Sequence, residues 1–277
     1  MKSTFNLGGN IAVNRMGYGG MQLTGKGVWG DPEDRENAKK VLQEAVKNGV
    51  NFIDTAEAYG PQTNESLIAD ALFPYPNDLV IATKGGFERP ESGRWTANGS
   101  PEFIQSNIEG SLKRLKVDCI DLWQLHRIDP KVPVEETLAP VAEAVKAGKI
   151  KFVGLSEVSI KEIEQAEKTV PIISVQNIYN IGERKWDDEV DYTAKRGMAF
   201  IPWFPLASGP QKLEEIISKV AKAHNKTIAQ IALAWLINRS ENILLIPGTK
   251  SIEHLHENIS AEDIKLTDEE IDELKSS

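Results

Sequence analysis

The chain has 277 residues, of which 40% are hydrophobic and 26% are charged, and its 41 acidic and 32 basic residues give a net charge of −9. This composition is typical of a folded globular protein and excludes a chain that is mainly disordered. A negative surface repels nucleic-acid phosphates and anionic lipids, so we expect neither as a partner. No segment has the roughly 20 apolar residues needed to cross a bilayer. Without a signal-peptide pattern, the sequence predicts a cytoplasmic protein.

The predicted elements begin with a short hairpin, in which TFNLGG and IAVNR flank a turn at residues 8–10. Eight apolar runs follow, and they are continuous rather than alternating, which is typical of parallel strands covered on both faces. The runs cover residues 16–20, 51–54, 79–83, 119–125, 152–156, 172–176, 198–202 and 243–247. Helix-period patterns lie between them, at residues 37–49, 64–72, 101–115, 134–148, 159–168, 187–197 and 227–239. Two more helical patterns, 252–260 and 267–275, end the chain.

Eight strand–helix repeats without a linker predict a closed barrel, because about 250 residues is the usual size of a (β/α)8 TIM barrel. We therefore expect an α/β fold with a single domain over residues 1–277. The hairpin would close the bottom of the barrel, and the two last helices would pack at its C-terminal side. Cys119 lies in an apolar run, where it is predicted to be a small buried residue rather than a reactive thiol.

Reactive side chains follow the predicted strands at the end where barrel enzymes carry their active sites. Asp54 ends the second run, Tyr59 lies in the next loop, Lys84 follows the third run and His126 follows the fourth. Buried polar groups cost free energy unless they are paired, so four of them at one rim are hard to explain by folding alone. A neighbouring ammonium lowers the pKa of a phenol. Lys84, oriented by Asp54, would thus tune Tyr59 as a general acid while His126 donates to a carbonyl oxygen.

Each of the four residues also has a structural interpretation when it is taken alone. Asp54 could cap the next turn, and Tyr59 could simply pack in its loop. Lys84 could be a solvated loop charge, and His126 a structural histidine with satisfied hydrogen bonds. The catalytic interpretation depends on all four occurring together after neighbouring strands.

The motifs FIDTAEAYG, IATK and DLWQLH carry these four residues and resemble the pattern of the aldo-keto reductases. GLSE, VQNIYN, WFPLASG and IPGTKSIEHLHEN follow in that family's order, so the resemblance extends from residue 14 to the last helix. It is nearest to bacterial enzymes similar to pyridoxal reductase. The resemblance implies a barrel enzyme without a metal that uses NADPH to reduce an aldehyde or a ketone. Tyr59 would be the acid, Lys84 and Asp54 its tuning pair, and His126 the orienting donor.

The resemblance also implies which residues contact the coenzyme. Ser156 and Gln176 would bind the nicotinamide carboxamide, and Trp203 would stack on the nicotinamide ring. Met21 and Gln22, in the first strand-to-helix connection, are candidates both for coenzyme contact and for shaping the pocket. The remaining implied contacts are Pro205, Leu206 and Ser208 over the pyrophosphate, Thr249, Lys250, Ser251 and His254 around the ribose and 2′-phosphate, and Glu257 and Asn258 at the adenine.

Three of these positions depart from the residues that are usual in the family. Glu157 stands where an asparagine commonly follows the serine, and a carboxylate cannot donate that amide's hydrogen bond. Trp203 stands where tyrosine or phenylalanine is more usual. His254 stands where many members have an arginine, and a neutral histidine offers one hydrogen bond instead of a bidentate contact. NADPH is therefore the expected coenzyme, with NADH as a weaker alternative.

The substrate is the least determined part of this prediction, because loops set its shape. Trp29 and Trp95 are candidates to line the pocket, although surface packing explains either residue equally well. A small-molecule carbonyl, such as pyridoxal or another small aromatic aldehyde, is the expected substrate, and a monomer or weak homo-oligomer the expected state. Two other functions stay open: a nicotinamide-binding regulatory subunit with slow turnover, and a lyase that forms a Schiff base on Lys84.

Overall fold

A computed structural model of the chain describes residues 3–206 and 211–275. Within those ranges, eleven strands and ten α-helices alternate along most of the chain. The strands are β1 (Thr4–Leu7), β2 (Ile11–Asn14), β3 (Tyr18–Gly19), β4 (Phe52–Asp54), β5 (Val80–Gly85), β6 (Phe87–Glu88), β7 (Thr96–Ala97), β8 (Ile120–Leu125), β9 (Ile150–Ser156), β10 (Ser174–Gln176) and β11 (Ala199–Phe200). The helices are α1 (Arg35–Lys47), α2 (Thr63–Leu72), α3 (Pro101–Leu115), α4 (Val134–Lys146), α5 (Ile160–Ala166), α6 (Asp187–Lys195), α7 (Gln211–His224), α8 (Ile228–Arg239), α9 (Ile252–Ser260) and α10 (Asp268–Lys275).

Helices α1 and α5 illustrate why these segments are helical. In α1 the buried residues are Ala38, Val41, Leu42 and Ala45, spaced so that they form one apolar stripe. Helix α5 begins with a capping box, in which Ser159 and the residue three positions later satisfy each other's backbone N–H groups. Among the helices that the structure describes, none combines the length and the apolar character needed to span a membrane.

Seven strands form a single sheet in the order β11-β10-β9-β8-β5-β4-β3 in the described part of the chain. Every neighbouring pair in this sheet is parallel, and helices connect the successive strands. Strands β6 and β7 pair with each other as a small antiparallel ribbon in the loop after β5. Because the strands are parallel, their carboxyl ends all lie at the same edge.

Residues 243–247 connect the two outer strands of this sheet. The backbone N–H of Leu244 donates to the carbonyl oxygen of Phe200 in β11 (2.9 Å), and that of Leu245 donates to Arg15, just before β3 (2.8 Å). Each edge receives only a few such bonds, so this predicted eighth strand forms isolated parallel bridges rather than a regular strand.

The two ends of the sheet's interior differ in polarity. Strands β1 and β2 pair antiparallel at the amino end, where Leu7 and Val13 are fully buried in one apolar cluster with residues of β4, β5 and β8. At the carboxyl end, β4 ends at Asp54, β9 at Ser156 and β10 at Gln176, and all three side chains are buried. Buried polar side chains of three strands therefore lie at the carboxyl end.

Some local predictions differ from the structure. Cys119 lies in the turn before β8 instead of within the strand, and it is exposed, so the prediction of a buried cysteine is wrong. Helix α7 was not predicted, although Leu213, Ile217 and Val220 have the spacing of a buried helical stripe. The segment after Lys84 was predicted as a long loop, and it contains β6 and β7.

Candidate active site

A cavity of about 600 Å³ opens at the carboxyl ends of the sheet strands. Many of the predicted site residues share its wall: Met21, Gln22, Asp54, Tyr59, Trp95, His126, Ser156, Gln176, Trp203, Pro205 and Leu206. Other lining residues were not predicted from the sequence, namely Gly19, Phe87, Arg127, Phe204, Ile246 and Gly248. The cavity therefore brings together residues that are far apart in the sequence.

Lys84 is fully buried beneath the floor of this cavity. Its Nζ donates to Asp54 Oδ1 (2.5 Å), to the backbone oxygen of Thr55 (2.8 Å) and to the hydroxyl of Tyr59 (3.4 Å). An ammonium group has three N–H donors, so each of them has one acceptor. The amine is thus held in a single orientation, directed at the phenol.

Asp54 is paired through both of its carboxylate oxygens. Oδ1 accepts from Lys84, and Oδ2 accepts from the amide nitrogens of Gln124 (3.1 Å) and Gln176 (2.9 Å). These contacts offset the cost of burying the charge. Gln124 was not predicted as a site residue, although it lies in β8 two positions before His126 and so points to the same face of the sheet.

The rings of Tyr59 and His126 meet edge to face, with centroids 5.8 Å apart and planes at 78°. Burial holds the pKa of His126 well below its ordinary value, and the charges of Lys84, Arg127 and Arg89 lower it further. The imidazole is therefore neutral at physiological pH. Its Nδ1 atom is buried and has no hydrogen-bond partner among the residues that the structure describes.

The pKa of Tyr59 is raised, because burial outweighs the opposite effect of the Lys84 charge. Burial lowers the pKa of Lys84, but Asp54 and Tyr59 more than compensate, and its net shift is upward. The prediction that Lys84 lowers the pKa of Tyr59 is therefore wrong, because the net change in that pKa is upward. The sequence does not show how completely the phenol is shielded from water. At neutral pH the phenol is protonated and the amine is charged.

Arg127 and Ser156 form a second polar contact in the wall. Nη1 of Arg127 donates to the backbone oxygen of His126 (2.6 Å) and to Ser156 Oγ (2.9 Å). The guanidinium carbon lies 5.7 Å from the ring centroid of Phe87 and 5.8 Å from that of Trp203. A positive charge between two aromatic rings is thus part of the cavity.

Two of the positions that depart from the family pattern contact each other. Glu157 Oε1 accepts a hydrogen bond from the indole N–H of Trp203 (2.8 Å) and another from the backbone N–H of Ile178. Glu157 has a left-handed φ of 57°, which is uncommon for a residue with a side chain. Tyrosine and phenylalanine have no N–H to donate, so this carboxylate suits a tryptophan.

Arg89 joins the loops around the mouth of the cavity. Its guanidinium carbon lies 3.6 Å from the centroid of Trp95 and 5.5 Å from that of Trp29, and its Nη1 donates to the backbone oxygen of Ala58 (2.8 Å). Trp95 lines the cavity, whereas Trp29 is not among the described residues that do so. Trp29 instead forms a backbone bridge to Gly60.

The residues predicted around the adenosine lie beyond the cavity, near the start of α9. Thr249 Oγ1 accepts from the N–H of Ser251 (3.0 Å), and Ser251 Oγ caps α9 by accepting from the N–H of His254 (3.3 Å). Of the predicted contacts there, Lys250 and His254 are exposed, Glu257 is half-buried and Asn258 is buried. The cavity reaches this region at Gly248. Ser208 lies outside the described residues.

Comparison with known proteins agrees with this geometry. The model of the Aldo/keto reductase family matches residues 15–277. Pyridoxine 4-dehydrogenase of Escherichia coli is 42% identical over 98% of this chain and 97% of its own, and an uncharacterized oxidoreductase of Schizosaccharomyces pombe is 45% identical over 94% and 85%.

Solved structures give the same result. A thermostable aldo-keto reductase in complex with the inhibitor epalrestat has a TM-score of 0.88 and 31% identity, covering 99% of this chain and 98% of its own. An aldo-keto reductase of Klebsiella pneumoniae in complex with NADPH has a TM-score of 0.84 and 26% identity, covering 100% and 95%. Because the family match includes the whole sheet and every residue around Lys84, this chain is an oxidoreductase that belongs to the aldo/keto reductase family.

Proposed function

We propose that this protein uses NADPH to reduce an aldehyde or a ketone to an alcohol, with Tyr59 as the general acid. The observation that carries the proposal is the buried amine of Lys84, which donates to Asp54 and to the Tyr59 hydroxyl next to His126. An ammonium held against a phenol stabilises the phenolate that remains when the proton leaves. This arrangement suits protonation of a developing alkoxide.

The polar groups of the cavity fit a nicotinamide carboxamide. A carboxylate only accepts hydrogen bonds, so the amide nitrogen of Gln176 must face Asp54, and its oxygen is left to accept from a ligand. Ser156 Oγ accepts from Arg127, which leaves its O–H to donate. One donor and one acceptor match a primary amide. When bound, the coenzyme supplies the hydride that is added to the carbonyl carbon.

Side chains in and beneath the cavity would then bind the carbonyl oxygen and transfer the proton to it. Nδ1 of His126 has no acceptor within the described part of the chain, so we assign the ring proton to Nε2, which would donate to the carbonyl oxygen. Tyr59 would donate its phenolic proton to the same oxygen as negative charge develops there. Lys84 would stabilise the phenolate, and Asp54 would keep Lys84 charged and in place.

The same geometry disfavours a Schiff-base lyase. A Schiff base forms on a neutral amine with a free lone pair. The pKa of Lys84 is raised, since Asp54 and Tyr59 outweigh the effect of burial, and all three of its protons are engaged in hydrogen bonds. Lys84 is therefore suited to holding charge and unsuited to nucleophilic attack.

Small aromatic aldehydes, pyridoxal among them, are the substrates we propose. Phe87, Trp95 and Trp203 give the cavity flat apolar walls, on which a planar ring can stack. The similarity to a pyridoxine 4-dehydrogenase supports the same class of substrate.

The mechanism is tested by Tyr59→Phe, assayed with NADPH and with NADH against pyridoxal, methylglyoxal and nitrobenzaldehyde. Loss of the phenolic proton should lower kcat about 10²–10⁴-fold, while the Kd for NADPH changes little. Tyr75→Phe is a matched control, because the Tyr75 hydroxyl donates to the backbone of Leu115 (2.7 Å) and does not line the cavity. Wild-type turnover by Tyr59→Phe would contradict the proposed role. Wild-type enzyme that binds NADPH without multiple turnover would favour a regulatory subunit.

We also propose that residues 243–247 serve as the eighth strand of a closed (β/α)8 barrel and that residues 1–277 form one domain. The hydrogen bonds from this segment to both edge strands support closure. Leu244 and Leu7 share one apolar cluster, which supports a common core for the two ends of the chain.

A further inference from the structure

Arg127 is a charged residue in the cavity wall to which the proposed function gives only one contact, the hydrogen bond from Nη1 to Ser156 Oγ. Both hydrogen bonds of its guanidinium come from Nη1, whereas Nε and Nη2 donate to none of the residues that the structure describes. The negative charge of Glu157 acts on Arg127. Glu157 nevertheless directs its other carboxylate oxygen at Lys185, with Oε2 3.9 Å from the amine. Arg127 therefore has donors to offer to a ligand.

Aromatic rings pack both against this guanidinium and against His126. The centroid of Phe87 lies 5.7 Å from the guanidinium carbon and 4.7 Å from the centroid of His126. Trp95 packs edge to face against Phe87, at 5.5 Å between centroids. A planar substrate that stacks on these rings therefore has two polar positions in the same cavity, the donors of Tyr59 and His126 and the guanidinium of Arg127.

The charges around the cavity favour an anion at that second position. Burial lowers the pKa of His126, and the positive charges of Lys84, Arg127 and Arg89 lower it further; of these three cations, Lys84 is paired with Asp54. Positive charge in a partly enclosed site attracts anions even when the whole chain is negative. Guanidinium groups bind carboxylates through two parallel hydrogen bonds, and Nε and Nη2 have the geometry for them.

We propose that Arg127 binds a carboxylate on the substrate, and that the preferred substrates are aromatic aldehydes that carry an acid group. This inference rests on the proposed function, because it names the substrate class of the same site. It assigns a role in specificity to Arg127 and leaves proton transfer to Tyr59.

The test compares 4-carboxybenzaldehyde with its uncharged methyl ester, methyl 4-formylbenzoate, and with benzaldehyde. Each is assayed with NADPH on the wild type, Arg127→Met and Arg127→Lys. The readout is the ratio of kcat/KM for the acid to that for the ester, in which a general loss of activity cancels. A charge-assisted bidentate contact should give the wild type a ratio of roughly 10 or more. We expect a ratio near one in Arg127→Met and an intermediate ratio in Arg127→Lys.

A wild-type ratio at or below one would overturn the proposal, and so would a ratio that Arg127→Met leaves unchanged. Wild-type enzyme that reduces none of the three aldehydes would instead contradict the proposed function, so the two failures are distinguishable. Since Arg127 also contacts Ser156, the Kd for NADPH is measured for each variant. If Arg127→Met does not fold, Arg127→Lys decides, because a point charge without the bidentate geometry should lower the ratio.

Discussion

The two ends of the proposed coenzyme site are built in different ways. At the catalytic end, Asp54, Lys84 and Gln176 are buried side chains from three strands, and hydrogen bonds to Asp54 join them. At the adenosine end, Lys250 and His254 are exposed near the start of α9. Groups that perform chemistry are thus held by the core, where geometry is preorganised. The groups that we propose to select the coenzyme lie on the surface, so substitutions there should have smaller effects.

The largest effect is expected from Lys84→Met. Removing the amine leaves the buried carboxylate of Asp54 without its cation, which costs about 3–5 kcal/mol of unfolding free energy. The variant should also lose kcat about 10²–10⁴-fold, because Tyr59 loses the charge that stabilises its phenolate. Urea denaturation and steady-state kinetics measure the two losses separately.

The double variant Lys84→Met/Asp54→Asn is the matched control. It removes both charges, so most of the lost stability should return while the activity stays low. Recovery of kcat in the double variant would show that the charge of Lys84 is not needed for proton transfer. The buried catalytic end and the exposed adenosine end would then differ only in how much they stabilise the fold.

Part of this contrast could be predicted from the sequence. Asp54, Lys84 and His126 end continuous apolar runs, and in a parallel sheet such positions meet at one edge. Gln124 could not be recognised in the same way, because inside DLWQL a buried glutamine is indistinguishable from a strand residue until its partner Asp54 is known. Arg127 likewise follows a strand, but its proposed role in binding the substrate depends on a loop that places Phe87 next to it.

The limits of the fold prediction have similar causes. Apolar runs located the seven sheet strands, whereas the extent of pairing depends on neighbours, so residues 243–247 form bridges to two edges instead of a regular strand. Cys119 is exposed because β8 begins one residue later, at Ile120, and strand boundaries are set by pairing that composition does not reveal. The pair Glu157–Trp203 joins residues 46 positions apart and leaves no local pattern.

The contact between Glu157 and Trp203 leads to a second prediction, for the part of the site between its catalytic and adenosine ends. Glu157→Ala leaves the indole N–H of Trp203 and the backbone N–H of Ile178 without their acceptor, so the ring loses its fixed position. An unsatisfied donor costs about 1–3 kcal/mol, and the Kd for NADPH should rise by roughly 10-fold. Fluorescence titration measures this change.

Glu157→Gln tests whether the hydrogen bond or the charge matters. The glutamine keeps an oxygen acceptor for Trp203, so NADPH affinity should return close to that of the wild type. Equal losses in Glu157→Ala and Glu157→Gln would show that the negative charge, and not the position of the indole, is what the site requires.

At the exposed end, His254→Arg should increase the preference for NADPH over NADH. Arginine offers a permanent bidentate contact to a phosphate, which is expected to raise the ratio of kcat/KM values about 10-fold. His256→Arg adds the same charge two positions further along α9, where it points to a different side of the helix. An equal gain in both variants would mean that net charge, rather than a contact with the 2′-phosphate, controls the preference.

The smallest effect is expected from pH. Burial raises the pKa of Tyr59, so its proton is lost only at pH values above the ordinary range of a phenol, near 10. Burial and nearby cations lower the pKa of His126, so its neutral form is lost only well below about pH 6.5. Between these limits neither Tyr59 nor His126 titrates, and kcat/KM for reduction should change less than about twofold from pH 6.5 to 9.

The shape of the pH profile distinguishes a Tyr59 whose pKa is raised by burial from one whose pKa is lowered by the charge of Lys84. If the charge of Lys84 outweighed burial, the phenol would ionise near neutral pH, and kcat/KM would fall tenfold for each pH unit above its pKa. Rates measured at saturating NADPH, with a substrate that does not titrate in this range, distinguish the flat profile from the falling one. A profile that is flat in the wild type but depends on pH in Asp54→Asn would give a further result. It would show that the protonation of Tyr59 depends on Asp54 as well as on Lys84.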